Sequence, residues 1–328
     1  MNPFSRGASI AGLALLLVAV SIPRSAGAFN ASAWTRPKAE VWSLVSFGYV
    51  AGRTQFLPDR SEVDFIQGID DRNTFEDASF YAQLQLGLFN GLTLNTTLPF
   101  KRVFIEQQAF FTETQALGDV YFGLRAGIFE LAGIQSPVAW SVEVGANLPT
   151  GYTRNLAPSV GPGNIDVEIK TAFGYGFRPF SWLPAYAQLG VGLRIRTGIF
   201  ALSSAAICNL TSDIDCVVDT QPDYSEEIIY LGELGVTPLG GSLLLFGKVF
   251  GAHSIPTPEV GFTAANPIPE RQRYVKAGFG GAVYPAKLAG FTTLERLGVI
   301  VQHYWTVDGQ NAPRTNDLFV GLEMTYGF

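Results

Sequence analysis

Histidine, cysteine and methionine occur only twice each in this chain of 328 residues, and charged residues make up 15% of it, against about 25% in soluble domains. Two histidines leave little material for metal ligation or for general acid and base work. Two cysteines exclude a disulfide-stapled scaffold. Beyond residue 28 there is no apolar run approaching the ~20 residues that a membrane-crossing helix needs, which excludes a helical inner-membrane protein. The net charge is -6, and that acidic balance argues against nucleic acid as a partner.

The one long apolar run stands at the start. Arg6 gives a short positive region, Ile10 to Val20 is apolar, and Ala26-Gly27-Ala28 is a small-x-small cleavage site, so residues 1–28 read as a secretory leader and 29–328 as one exported domain. Loss of Arg6 and Arg24 with that leader, which holds no acid, takes the net charge from -6 to -8. In an exported chain the pair Cys208 and Cys216 reads as a disulfide closing a small polar loop. A metal site is the rival, weakened by the absence of a nearby His and by zinc's preference for four ligands. Asp213 and Asp215 in the same loop read as solvated carboxylates rather than a calcium site.

What the chain has in abundance is apolar residues dispersed by twos, with 47% hydrophobic content. The C-terminal segment puts Leu318, Val320, Leu322, Met324, Tyr326 and Phe328 on one face, with Gly321, Glu323, Thr325 and Gly327 on the other and Phe319 the only bulky apolar residue there. A strand with one wholly apolar face, closing on Phe328, resembles the C-terminal signal of bacterial outer-membrane barrels, and implies recognition by the barrel-assembly machinery. Eleven further strands are expected, with cores at Glu40 to Gly52, Ala78 to Phe89, Leu92 to Val103, Asp119 to Phe129, Val138 to Leu148 and Asn164 to Phe177. The rest fall at Ala185 to Phe200, Ser225 to Val236, Ser242 to Ala252, Gln272 to Tyr284 and Gly298 to Val307. The strands at Ser225, Ser242 and Gly298 alternate poorly.

Alternation alone fits a soluble sandwich too. The connections separate the two, because they run long and short in turn, as external loops and periplasmic turns do in transmembrane barrels. Asn90-Gly91 is a two-residue hairpin signal. Phe89, Phe129, Phe177, Phe180, Trp182, Tyr284 and Phe328 gather at the strand ends expected at the periplasmic interface. The expected fold is all-β, a transmembrane antiparallel up-and-down β-barrel of about twelve strands, in contact with outer-membrane lipid.

Charges are costly against lipid and tolerated in a hydrated lumen. The expected lumen lining is therefore Lys101, Arg125, Glu143, Glu168, Lys170, Arg194 and Arg196, with Gln83, Gln85, Asp166, Gln188, Lys276 and Glu323 on the same faces. Such a lining reads either as a channel wall that selects small-molecule solutes or as a structural network. Function in the external loops of a non-conducting barrel is the alternative. A lipid hydrolase at the rim would need His253 or His303, but neighbours on an extended chain point apart, so His253 and Ser254 make no dyad. No catalytic, cofactor or metal residues are assigned.

Three motifs in the middle of the chain run Gly118-Asp119-Val120-Tyr121-Phe122-Gly123-Leu124, Val144-Gly145-Ala146-Asn147-Leu148-Pro149-Thr150-Gly151 and Gly161-Pro162-Gly163-Asn164-Ile165-Asp166-Val167. The pattern is similar to the putative MetA-pathway of phenol degradation, or transporter, family of outer-membrane proteins. The resemblance implies a barrel that admits small, often aromatic or apolar, organic compounds, with no catalytic residues. The same motifs also serve as strand ends and turns, where Pro and Gly supply the required backbone angles.

Overall fold

The computed structural model describes residues 32–64, 74–107, 110–152, 160–197, 224–255, 271–291, 294 and 296–327. Cys208, Cys216 and Phe328 lie outside them, so the expected disulfide and the terminal aromatic have no structural description.

The strands are β1 (Glu40–Phe56), β2 (Glu62–Asp64), β3 (Thr74–Phe89), β4 (Leu92–Gln107), β5 (Phe110–Leu117), β6 (Val120–Gly127) and β7 (Val138–Leu148). After them come β8 (Asp166–Phe180), β9 (Leu183–Arg196), β10 (Glu227–Val236), β11 (Leu243–Ser254), β12 (Arg273–Val283), β13 (Leu297–Gln310) and β14 (Ala312–Gly327). Pairing is antiparallel throughout, and β14 returns to β1 from Glu40↔Gly327 to Phe56↔Ala312, which closes the sheet on itself. β5 and β6 both face β4, end to end, and form one stave interrupted at Gly118-Asp119. β2 is an arm on the outer end of β1. The wall is thus a closed antiparallel barrel of twelve strands.

Two expected loops are strand instead. Within the expected loop from Phe104 to Gly118, β4 continues to Gln107 and Phe110–Leu117 forms β5, so paired strand stands beyond the level where β7 stops at Leu148. The stretch from Asp308 to Asn316 belongs to β13 and β14, which turn tightly at Asn311 with φ 50°. Asn tolerates that left-handed angle better than most residues, which is why so short a turn works there. At the other end the turns are tight as expected, with Gly91 at φ 81°.

The outward face is apolar and uncovered. Val45, Phe47, Leu84, Leu98, Phe122, Leu124, Val144, Ile169, Leu189, Leu245, Val301, Val320 and Leu322 are all exposed and belong to neighbouring staves. A continuous apolar belt of that extent is an aggregation liability in water and a solvation requirement in lipid. At its lower edge Phe89, Phe180 and Trp182 are exposed, the last two stacked at 5.9 Å. Above it Arg102 pairs with Glu113 at 2.9 Å on the same outer face, which marks the return to water. Tyr284 departs from the expected aromatic girdle: it turns inward and donates to Glu323 at 2.6 Å.

The interior is not uniformly polar. Towards the periplasmic end Trp42, Leu44, Tyr186, Leu244, Phe246, Ala282 and Ile300 pack together inside the barrel. Higher up, Ile229, Leu231, Phe250, Ala252, Tyr304 and Phe319 make a second cluster. Residues 32–38, ahead of β1, fold into the lumen, with Ser32, Ala33 and Arg36 buried. Gly87 makes room for them, since a Cβ there would stand 1.8 Å from the Pro37 carbonyl oxygen.

The belt predicts an asymmetric response to charge. Val320→Arg on the outer face of β14 should cost about 2–4 kcal/mol if it lies near the bilayer midplane, measured by urea unfolding in lipid vesicles. A change under about 1 kcal/mol would place that face at the interface or in water.

Candidate functional site

The site grows from strand register. On β6, β7 and β8 the residues Arg125, Glu143 and Lys170 are direct cross-strand neighbours. One step towards the outer end, Glu168, Arg194 and Glu227 are neighbours across β8, β9 and β10. Asp166 and Arg196 follow at the next level. Because period-two alternation aims all of these inward, sequence-distant charges meet on one curved wall.

They form a continuous ladder of alternating sign. Arg125 Nη2 lies 2.5 Å from Glu143 Oε2, and Lys170 Nζ bridges Glu143 at 2.8 Å and Glu168 at 3.0 Å. Arg194 bridges Glu168 at 2.8 Å and Glu227 at 2.7 Å. Arg196 completes it at 3.4 Å from Glu227 and 3.9 Å from Asp166. The Tyr121 hydroxyl donates to Glu143 at 2.5 Å and accepts from Lys170 at 2.7 Å. Asn95 adds a second neutral donor to Glu143 at 2.6 Å. Buried charges need this density of partners, since each one left unpaired costs far more than the pair returns.

Glycine at 145 has a definite job in this arrangement. A Cβ at Gly145 would stand 2.2 Å from the Tyr121 hydroxyl, and only a bare backbone lets that ring lie across β7. The Gly145 of the family-like motif thus serves the charge ladder rather than a turn.

Of the seven expected lining residues, Arg125, Glu143, Glu168, Lys170, Arg194 and Arg196 join the ladder, while Lys101 lies outside it and pairs with Asp77 at 2.7 Å. Lys101, Glu168, Lys170, Arg194 and Arg196 line the cavity that opens above the ladder, and Arg125 and Glu143 do not. Lys276 similarly pairs with Asp317 at 2.5 Å. Glu227, Asp77 and Asp317 were not picked out by periodicity. Glu227 and Glu233 share the inner face of β10 with Ile229 and Leu231, so that strand is apolar on both faces and its alternation is blurred.

Above the ladder a cavity of about 460 Å³ opens inside the barrel. Glu168, Lys170, Arg194 and Arg196 line one side, and Tyr81, Phe250, Tyr274 and Phe319 line another. Tyr81 and Phe319 have ring centroids 6.1 Å apart, so the apolar side is an aromatic surface rather than an aliphatic one. The chamber is therefore charged along β8 and β9, while around β3, β11, β12 and β14 its aromatic rings stand beside the Lys101–Asp77 and Lys276–Asp317 pairs. At the mouth, outside the membrane, Arg314 donates to Glu62 at 2.5 and 2.6 Å and holds that carboxyl below its usual range.

The histidines stand outside this chamber. His303 faces outward against Phe279 and Trp305. His253 packs edge-on against Tyr230 at 5.4 Å, while its neighbour Ser254 is buried on the opposite face of β11. A His253–Ser254 dyad is not formed.

No known family model matches the sequence, and no curated protein is similar to it in sequence. Among solved structures, the COG4313 outer membrane channel from Pseudomonas putida F1 has a similar fold, with a TM-score of 0.60 at 13% identity over 92% of this chain and 100% of that one. The translocator domain of the autotransporter NalP from Neisseria meningitidis is a looser likeness, with a TM-score of 0.44 at 10% identity over 87% of each chain, and carries no argument. The closed wall, the bare apolar belt and the first likeness define the class: the chain is a bacterial outer-membrane β-barrel.

The ladder makes Lys170 the residue whose loss should cost most, because it serves Glu143, Glu168 and Tyr121 together. Lys170→Met should destabilise the folded barrel by about 3–5 kcal/mol in vesicle unfolding, the usual penalty for stranding a buried partner. A loss below about 1 kcal/mol would mean that water already screens the ladder.

Proposed function

We propose that the barrel is an outer-membrane channel for the passive uptake of small organic solutes, aromatic ones carrying a polar substituent above all. The observation that carries this reading is the cavity of about 460 Å³, in which aromatic rings stand beside charged and hydrogen-bonding groups. Its size suits a ligand of one or two rings, within the range of about 300–1,000 Å³ typical of small-molecule sites. The rings of Tyr81, Phe250, Tyr274 and Phe319 offer faces and edges for stacking. Across from them Lys170, Arg194 and Arg196 offer donors to a hydroxyl or carboxylate. The similar solved barrel, itself described as an outer membrane channel, supports the same role. The reading includes export by a leader at residues 1–28, a Cys208–Cys216 disulfide in an external loop, and assembly through the C-terminal strand.

A second reading has one observation in its favour. The apolar packing around Trp42, Leu44 and Phe246 fills part of the periplasmic half of the lumen, as in a non-conducting barrel whose work is done by its loops.

The test is solute flux into proteoliposomes together with planar-bilayer conductance. The wild type should admit a benzoate-sized solute faster than an aliphatic acid of equal charge, and Phe250→Ala with Phe319→Ala should erase that preference. Replacing Arg194 and Arg196 by Gln should change conductance. Flux that is absent, or untouched by both pairs of substitutions, would overturn the reading.

A further inference from the structure

Residues 32–38 cross the floor of the lumen from wall to wall. Ser141 Oγ donates to the Ser32 carbonyl at 2.6 Å, and the Ala33 amide donates to Gln188 at 3.4 Å. Arg125 reaches the Trp34 carbonyl at 3.3 Å, and the Arg36 amide donates to Thr93 at 2.7 Å. Trp34 packs against both interior clusters, edge-on to Tyr186 at 5.8 Å, and Arg36 lies over the Trp42 ring at 5.5 Å. The crossing thus touches staves on opposite sides of the barrel, directly beneath the charge ladder.

We propose that this segment is a displaceable plug that closes the periplasmic exit of the lumen and leaves its seat when a solute passes. The proposal rests on the channel reading above. Three features mark the segment as removable rather than as part of the wall. It belongs to no strand ladder: apart from the Pro37 carbonyl, which accepts from the Glu40 amide, the main-chain groups it pairs are met by side chains, which water replaces in an open lumen. Beside the apolar contacts of Trp34, the walls it covers carry Gln85, Thr93, Arg125, Ser141 and Gln188, polar groups that water can meet when the segment departs. Its seat is also imperfect. Arg36 donates from Nε to Gln85 at 3.0 Å and from Nη1 to Glu40 at 3.3 Å, but its buried Nη2 has no hydrogen-bond partner among the described residues. A buried donor without a partner raises the energy of the closed state relative to a hydrated one.

A hinge and a trigger are both present. Ala39 joins the segment to β1 at φ 62°, a left-handed angle that a non-glycine residue holds under strain. Arg125 holds the plug with one nitrogen and Glu143 with another, and Glu143 shares Lys170 with the cavity wall. A solute that draws Lys170 towards itself loosens the far end of the same chain of contacts.

Three proteins test this in planar bilayers, each first shown to be folded by heat-modifiable gel migration. They are the wild type, a deletion of residues 32–38, and Thr35→Cys with Gly127→Cys in a chain whose Cys208 and Cys216 are replaced by Ser. Thr35 Cγ2 stands 3.1 Å from where a Gly127 Cβ would be, within the reach of a disulfide. The deletion should conduct several-fold more than the wild type. The cross-linked protein should be silent when oxidised and regain wild-type conductance on reduction. Equal conductance of wild type and deletion, or of the oxidised and reduced forms, would overturn the plug and leave the channel standing. Silence of the folded deletion would overturn both. Should the deletion not fold, the oxidised and reduced forms of the cysteine pair decide alone.

Discussion

Hydrocarbon offers no hydrogen-bond partner, and every other feature of this protein follows from that. Each main-chain amide and carbonyl in the bilayer must be satisfied by another strand, so the sheet has no permissible edge. The β14 to β1 seam meets the requirement by joining the ends of the chain's strand series. Closure fixes the alternation of faces around the whole ring, and alternation sorts side chains into those that meet lipid and those that meet one another.

Inside, the same isolation from bulk water makes charge expensive unless it is answered at once. The ladder from Arg125 to Arg196 answers it by register: successive strands supply opposite signs at neighbouring positions. The remaining interior is filled by aromatic and aliphatic groups and, beneath the ladder, by residues 32–38. The lumen is thus partly a packed core, and the open volume lies above it.

Much of the architecture was legible because lipid and lumen impose opposite demands on alternate residues. On β8, Ile169 and Phe173 face lipid while Glu168 and Lys170 face inward, and the period of two shows plainly in the sequence. The strands that alternate poorly do so for a physical reason. On β11, Leu245 and Val249 meet lipid while Leu244, Phe246 and Phe250 meet the packed interior, so both faces are apolar and the period vanishes. Loop boundaries were less legible, since the paired ends of β4 and β5 and the turn at Asn311 run past the membrane edge into water, where neither face is constrained. The cavity's charges on β8 and β9 were legible residue by residue, while Asp77 and Asp317 were not. Of its aromatic residues, Phe319 was placed by alternation and Phe250 was not, because Phe250 lies on a strand that is apolar on both faces. Nothing in the composition of residues 32–38 announces that they lie inside a barrel.

One property of the ladder reaches beyond the stability of the wall. Arg125, Lys170, Arg194 and Arg196 are matched by Glu143, Asp166, Glu168 and Glu227, and the Lys101–Asp77 and Lys276–Asp317 pairs repeat the balance. Opposite charges a few ångströms apart cancel one another's potential within a comparable distance. Among these paired residues the charges balance, which keeps the potential they cast into the chamber short-ranged. Such pairing leaves recognition in the chamber to short-range contacts, to ring faces and to individual donors and acceptors, rather than to a long-range field.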